Sequence, residues 1–108
     1  MLISQQRLEK ALSLLAETDT EYAQWKGAVL RNEHMAKVAE SLAYKSLDGT
    51  VEDKRRAVLL VPEVAKAHEE AFKAVVAYEA LKARRQREVL IIELWRSMES
   101  SRRQGTIT

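Results

Sequence analysis

Residues 46–62 read SLDGTVEDKRRAVLLVP, and they hold the one glycine and the one proline found between Gly27 and Gly105. Asp48-Gly49 suits a helix end, because glycine readily takes the left-handed conformation that follows a last helical turn. Thr50 reads as an N-cap, with Asp53 three positions on, for a short helix over about 51–60. Val61-Pro62 ends that segment, and Pro62 fits the first turn of the next helix, where no amide hydrogen is needed. On either side lie two long stretches almost free of turn formers, about 4–45 and 62–103. The reading is therefore all-α: a long antiparallel helical hairpin with a short connecting helix.

The first stretch carries its apolar residues in one heptad phase: Leu8, Ala11, Leu15, Tyr22, Trp25, Val29, Ala36, Ala39 and Ala43, with Thr18 and Asn32 in the gaps. Leu12, Met35, Val38 and Leu42 widen this face. Thr18 and Glu21 match a capping box, yet the phase is the same before and after them. Two separate helices have no reason to share a register, so one helix is expected across Glu17–Thr20. Such a rod would be about 60 Å long and needs a partner of similar length to bury its stripe. The stretch 62–103 supplies it, with His68, Ala71, Val75, Tyr78, Leu81, Val89 and Ile92 as its inner face and Arg85 interrupting it. Antiparallel pairing about the connection places Trp25 near Tyr78, Leu81 and Arg85, and Trp95 near Leu12 and Leu15.

The hairpin leaves one segment unexplained. Val89, Leu90, Ile91, Ile92, Leu94 and Trp95 point in almost every direction around their helix, and a helix apolar on all sides must be buried on more than one. A homo-oligomer of coiled-coil type is expected, with Leu90, Ile91 and Leu94 as its interface. The competing arrangement folds the short helix back over this patch, but that helix sits at the other end of the hairpin.

At 108 residues the chain reads as a single helical domain, 1–108, with residues 104–108 expected to be disordered. Cysteine is absent, which removes disulfides, thiolate zinc sites and thiol nucleophiles together. The opening MLISQQRLEK lacks the basic start and apolar core of a signal peptide. The most apolar run, Val89 to Trp95, is far short of a membrane span of about 20 residues. A soluble, cytoplasmic protein is expected.

Catalytic residues are few. His68-Glu69-Glu70-Ala71-Phe72 begins like a two-histidine zinc motif, but Phe72 stands where the second histidine would be. Glu69-Glu70 and Glu52-Asp53 are sequence neighbours, which point to different sides of a helix. The three glycines are too scattered for a phosphate loop. No enzyme, no cofactor and no metal site is expected.

Charge placement says more than its total of +2. Residues 82–108 hold seven basic residues against Glu88, Glu93 and Glu99, giving +4, while 1–50 and 51–81 are each −1. Arg84, Arg85, Arg87, Arg102 and Arg103 are the candidate phosphate contacts, since arginine binds phosphate in a bidentate way. Lys54, Arg55 and Arg56 form a second cluster on the short helix. The competing use of the arginines is pairing with Glu9, Glu17, Asp19 and Glu21 of the first helix.

Glu21-Tyr22-Ala23 and Trp25 on a long helix, the loop Asp48-Gly49-Thr50, and a last helix carrying Trp95-Arg96-Ser97 and Ser101-Arg102-Arg103 resemble small helical proteins of tailed phages and prophages. Those proteins belong to replication and recombination modules, and the order of features resembles phage recombination mediators. The resemblance implies an oligomer that binds single-stranded DNA and works with a recombination protein. The alternative expectation is a protein–protein adaptor or inhibitor without nucleic-acid binding.

Overall fold

A computed structural model describes residues 3–107, with side-chain surroundings through residue 105. It contains three helices, α1 (Gln5–Lys45), α2 (Val51–Val58) and α3 (Pro62–Ile107), with no strand among the described residues. Helix α1 packs against α3 with α2 between them, which makes a helical hairpin. The first two helices begin and end close to the expected limits. Helix α3 runs four residues past Arg103, to Ile107. Thr108, the last residue of the expected 104–108 tail, lies outside the described residues.

Thr18 does not break α1. Its Oγ1 donates to the carbonyl of Leu14 at 2.7 Å, so the hydroxyl is satisfied one turn back and the helix continues. The connection follows the local chemistry closely. The amides of Ser46 and Leu47 return to the carbonyls of Ala43 and Tyr44, and Gly49 takes φ +111°. Thr50 Oγ1 then accepts from the amide of Asp53 at 3.2 Å, while Asp53 Oδ2 accepts from the amide of Thr50 at 3.3 Å. Two donors at the start of α2 are thereby satisfied reciprocally. A Cβ on residue 49 would stand 3.2 Å from Asp53 Cβ, in a backbone conformation that side chains rarely adopt. Gly49→Ala is therefore expected to cost about 1–2 kcal/mol, read as a lower urea midpoint with an unchanged denaturant slope.

The chain divides into two compact units: Ala23–Glu79, and Met1–Tyr22 with Ala80–Thr108. In the first, Ala36, Val58, Val64 and Ala74 are buried. Glu40 Oε1 and His68 Nε2 lie 2.5 Å apart, a pair of facing positions expected from the antiparallel register. Asn32 sits in the seam with its amide donated to the carbonyl of Ala28 at 2.8 Å.

In the second unit the buried residues are Ile3, Ala11, Thr18 and Leu81. Arg85 enters this seam from α3. Its Nη1 donates to the carbonyl of Leu15 at 2.9 Å and to Thr18 Oγ1 at 2.7 Å, and its Nη2 lies 2.6 Å from Asp19 Oδ1. The guanidinium also lies 4.8 Å from the centre of the Tyr22 ring. One helical turn farther along α3, Arg7 Nη2 meets Glu88 Oε1 at 2.9 Å.

Three expectations about α3 are corrected here. His68 is exposed, and the neighbouring Ala67 lies deeper. Val89 is 41% exposed, and the acidic Glu88 takes the seam position because Arg7 across from it supplies a partner. Trp95 does not face Leu12 and Leu15, since the group against Leu15 is Arg85, ten residues earlier. Ten residues of helix are about 15 Å, which carries Trp95 toward the beginning of α1.

Candidate nucleic-acid interface

The unit Met1–Tyr22 with Ala80–Thr108 holds nine Lys and Arg against seven Asp and Glu, whereas Ala23–Glu79 holds nine of each. All of the chain's net charge thus resides in the former. Its basic side chains fall into three groups with different partners.

Arg85 is the most occupied. Its side chain is only 17% exposed, and its Nη groups are engaged by Leu15, Thr18 and Asp19. Expected as a phosphate contact, it instead ties α3 to α1. The reason is its place in the apolar phase of α3, where a cation is buried unless the opposite helix offers oxygens to it. Here the pairing with Asp19, one of the acidic residues weighed as a partner from sequence, is the observed one.

Arg84 and Arg87 lie on exposed turns of α3, and their side chains take part in no ion pair or hydrogen bond among the described residues. Three residues apart on a helix, they are surface neighbours. Arg84 shares a cleft of about 230 Å³ with Arg7, Lys10, Leu14 and Glu88. Residues from both long helices therefore bring three cations around one carboxylate. Arg7 and Lys10 escaped the sequence reading, because their own segment is slightly acidic overall and their proximity to Arg84 depends on the hairpin.

The third group lies near the end of α3. Trp95, Arg96, Glu99, Ser100 and Arg103 line a shallow cleft of about 270 Å³. Arg102 is held by Glu99 at 2.8 Å within the same helix, yet its side chain remains largely exposed. The indole of Trp95, read from sequence as core, is half-buried and borders this cleft beside two arginines. An aromatic face flanked by guanidinium groups can stack a base and hold the adjoining phosphates.

The cluster Lys54, Arg55 and Arg56 belongs to the other unit. Lys54 Nζ lies 5.2 Å from the centre of the Tyr44 ring, and Arg56 reaches Glu52 at 3.8 Å with both side chains mostly in water. Arg55 borders a groove of about 540 Å³ with Tyr44, Val58 and Leu59.

Among the described residues no group of three or more His, Cys, Asp or Glu side chains is placed to hold a metal ion. His68 has Glu40 as its partner, and His34 is exposed. No helix is long and apolar enough to cross a membrane among the described residues. In comparison with known proteins, the chain matches no family model, no curated protein and no solved structure.

Proposed function

We propose that this protein is a non-enzymatic, self-associating helical hairpin that binds single-stranded DNA. The observation that carries this reading is the convergence of Arg7, Lys10 and Arg84 from two helices on one cleft, with Arg87 on the adjoining turn. Phosphate contacts of this kind set affinity and position without reading sequence. The Trp95 cleft supports a single strand over a duplex, because only unpaired bases offer a free face for stacking. The resemblance to phage recombination mediators gives the setting: phage-type recombination or replication in the cytoplasm of a bacterial host, beside a recombination protein. Lys54, Arg55 and Arg56 are a subsidiary basic patch in this reading, and Arg102 and Arg103 extend the main one.

The test is fluorescence anisotropy with a labelled oligothymidine at low salt. Arg84→Ala combined with Arg87→Ala should weaken binding about tenfold, while both substitutions, being at exposed positions, leave helicity unchanged. No binding by the wild type, or equal binding by the double variant, would refute the proposal. A second reading, a protein-binding adaptor or inhibitor without DNA affinity, draws on the exposure of Leu90 and Leu94.

A further inference from the structure

The end of α3 has no α1 beside it. Arg7 meets Glu88, and α1 begins only two residues before Arg7, at Gln5. One-for-one antiparallel pairing therefore exhausts the described part of α1 opposite about residue 92, while α3 continues to Ile107. A lone helical segment of about 12–15 residues is marginal in water even with favourable composition. This one also exposes leucines, with Leu90 56% and Leu94 52% accessible.

From residue 90 onward α3 has a second heptad stripe turned from the seam, with Ile91 and Met98 half-buried along its edge. Leu90, Ile91, Leu94, Ser97, Met98 and Ser101 follow one another at coiled-coil spacing, and none is charged. Every charged residue between 90 and 105, namely Glu93, Arg96, Glu99, Arg102 and Arg103, lies off this stripe. A solvent-facing helix surface has no reason to exclude charge so consistently, whereas a helix–helix seam does.

The surface area points the same way. A folded monomer of 12.3 kDa exposes about 6,100 Å² by the usual scaling with mass. This chain exposes 8403 Å², an excess of about 2,300 Å². A standard interface takes about 800 Å² from each partner, so the excess is large enough to supply one.

We infer that the end of α3 pairs antiparallel with the same segment of a second copy along this uncharged stripe. In that register Leu90 lies opposite Ser101 of the second copy and Leu94 opposite Ser97, with Ile91 and Met98 along the edge of the same stripe. Each leucine meets a small residue, which lets the helices interdigitate without voids. Parallel pairing would set leucine against leucine and serine against serine, and would place the Arg102–Arg103 pairs side by side. The antiparallel register keeps those pairs about 20 Å apart along the helix axis, beyond the screening length at physiological salt. The pairing rests on the self-association in the function proposed above, not on its DNA affinity, and its test contains no DNA.

The chain has no cysteine, which permits a clean cross-linking test at two exposed positions. Within one chain residues 90 and 101 are about 16 Å apart, too far for a disulfide. Leu90→Cys with Ser101→Cys should form a covalent dimer under copper phenanthroline, while either single variant stays at monomer mass on a non-reducing gel. Sedimentation equilibrium of the unsubstituted protein at micromolar concentration should give twice the chain mass. Cross-linking of Leu90→Cys alone would overturn the antiparallel register. A sedimenting monomer would overturn the pairing itself and leave the stripe to a foreign helix.

Discussion

Arg85→Ala should lower the free energy of unfolding by about 2–3 kcal/mol. Nη1 donates two part-buried hydrogen bonds, to Leu15 and Thr18, and hydrogen bonds to charged groups are each worth about 1.5–3 kcal/mol without being additive. The Tyr22 contact adds about 0.5–1 kcal/mol. Asp19 adds little, because its side chain is 68% exposed and ion pairs in water are worth at most about 1 kcal/mol. Arg85→Leu should regain most of the loss, since position 85 stands in the apolar phase of α3 and an aliphatic side chain there needs no oxygen partner. Urea unfolding followed by circular dichroism reads both variants, with a lower midpoint for Ala and a near-normal one for Leu. Equal midpoints for wild type and Ala would show that the arginine does not hold the two helices. A double-mutant cycle with Asp19→Ala should return a coupling below about 1 kcal/mol.

Single-stranded DNA affinity should fall about 50-fold as salt rises from about 50 to about 200 mM. Lys10, Arg84, Arg87 and Arg96 have no ion pair among the described residues, so four phosphates can be neutralised without breaking a contact inside the chain. Single strands release counterions with a slope near −0.7 per phosphate, which gives a slope of about −3 for four contacts. Removing Arg84 and Arg87 together halves the number of contacts, and the same salt change should then cost only about sevenfold. Arg85→Leu should leave the slope unchanged, because that guanidinium faces Thr18 and Asp19 rather than solvent. A double variant with the wild-type slope would remove Arg84 and Arg87 from the binding face.

These two predictions treat neighbouring arginines in opposite ways, and the difference was only half legible beforehand. Arg85 interrupts the apolar phase of α3 visibly, so its place on the inner face could be read directly. That it would find oxygens there, from Leu15, Thr18 and Asp19, depends on which turn of α1 stands opposite. Arg84 and Arg87 could be read as exposed and basic. The cleft that Arg84 shares with Arg7 and Lys10 could not, because those residues are more than seventy positions away and carry no local signal. Trp95 misled for a related reason. A tryptophan in an apolar run reads as core, but α3 passes the start of α1 before reaching it.

The α3 face was misplaced by one residue at two points, with His68 and Val89 expected where Ala67 and Glu88 lie deeper. In α1 a single stripe left only one direction in which to bury apolar surface, and Ala11, Thr18 and Ala36 occupy it as expected. In α3 alanines and large apolar residues cover several directions, so periodicity alone allows more than one inner face. Glu88 in place of Val89 was decided by a cation across the seam.

By itself the sequence determined the helices, their limits near Lys45, Val51 and Pro62, and the reversal between them. Helical hydrogen bonds, the Thr50–Asp53 cap and the conformation of Gly49 are settled within a few residues of chain, so they can be read one segment at a time. Only the tertiary structure decided which face of α3 is buried, which arginine is tied down, and which cations share a cleft. Those outcomes depend on what another helix presents at the point of contact, and no short stretch of chain contains that information.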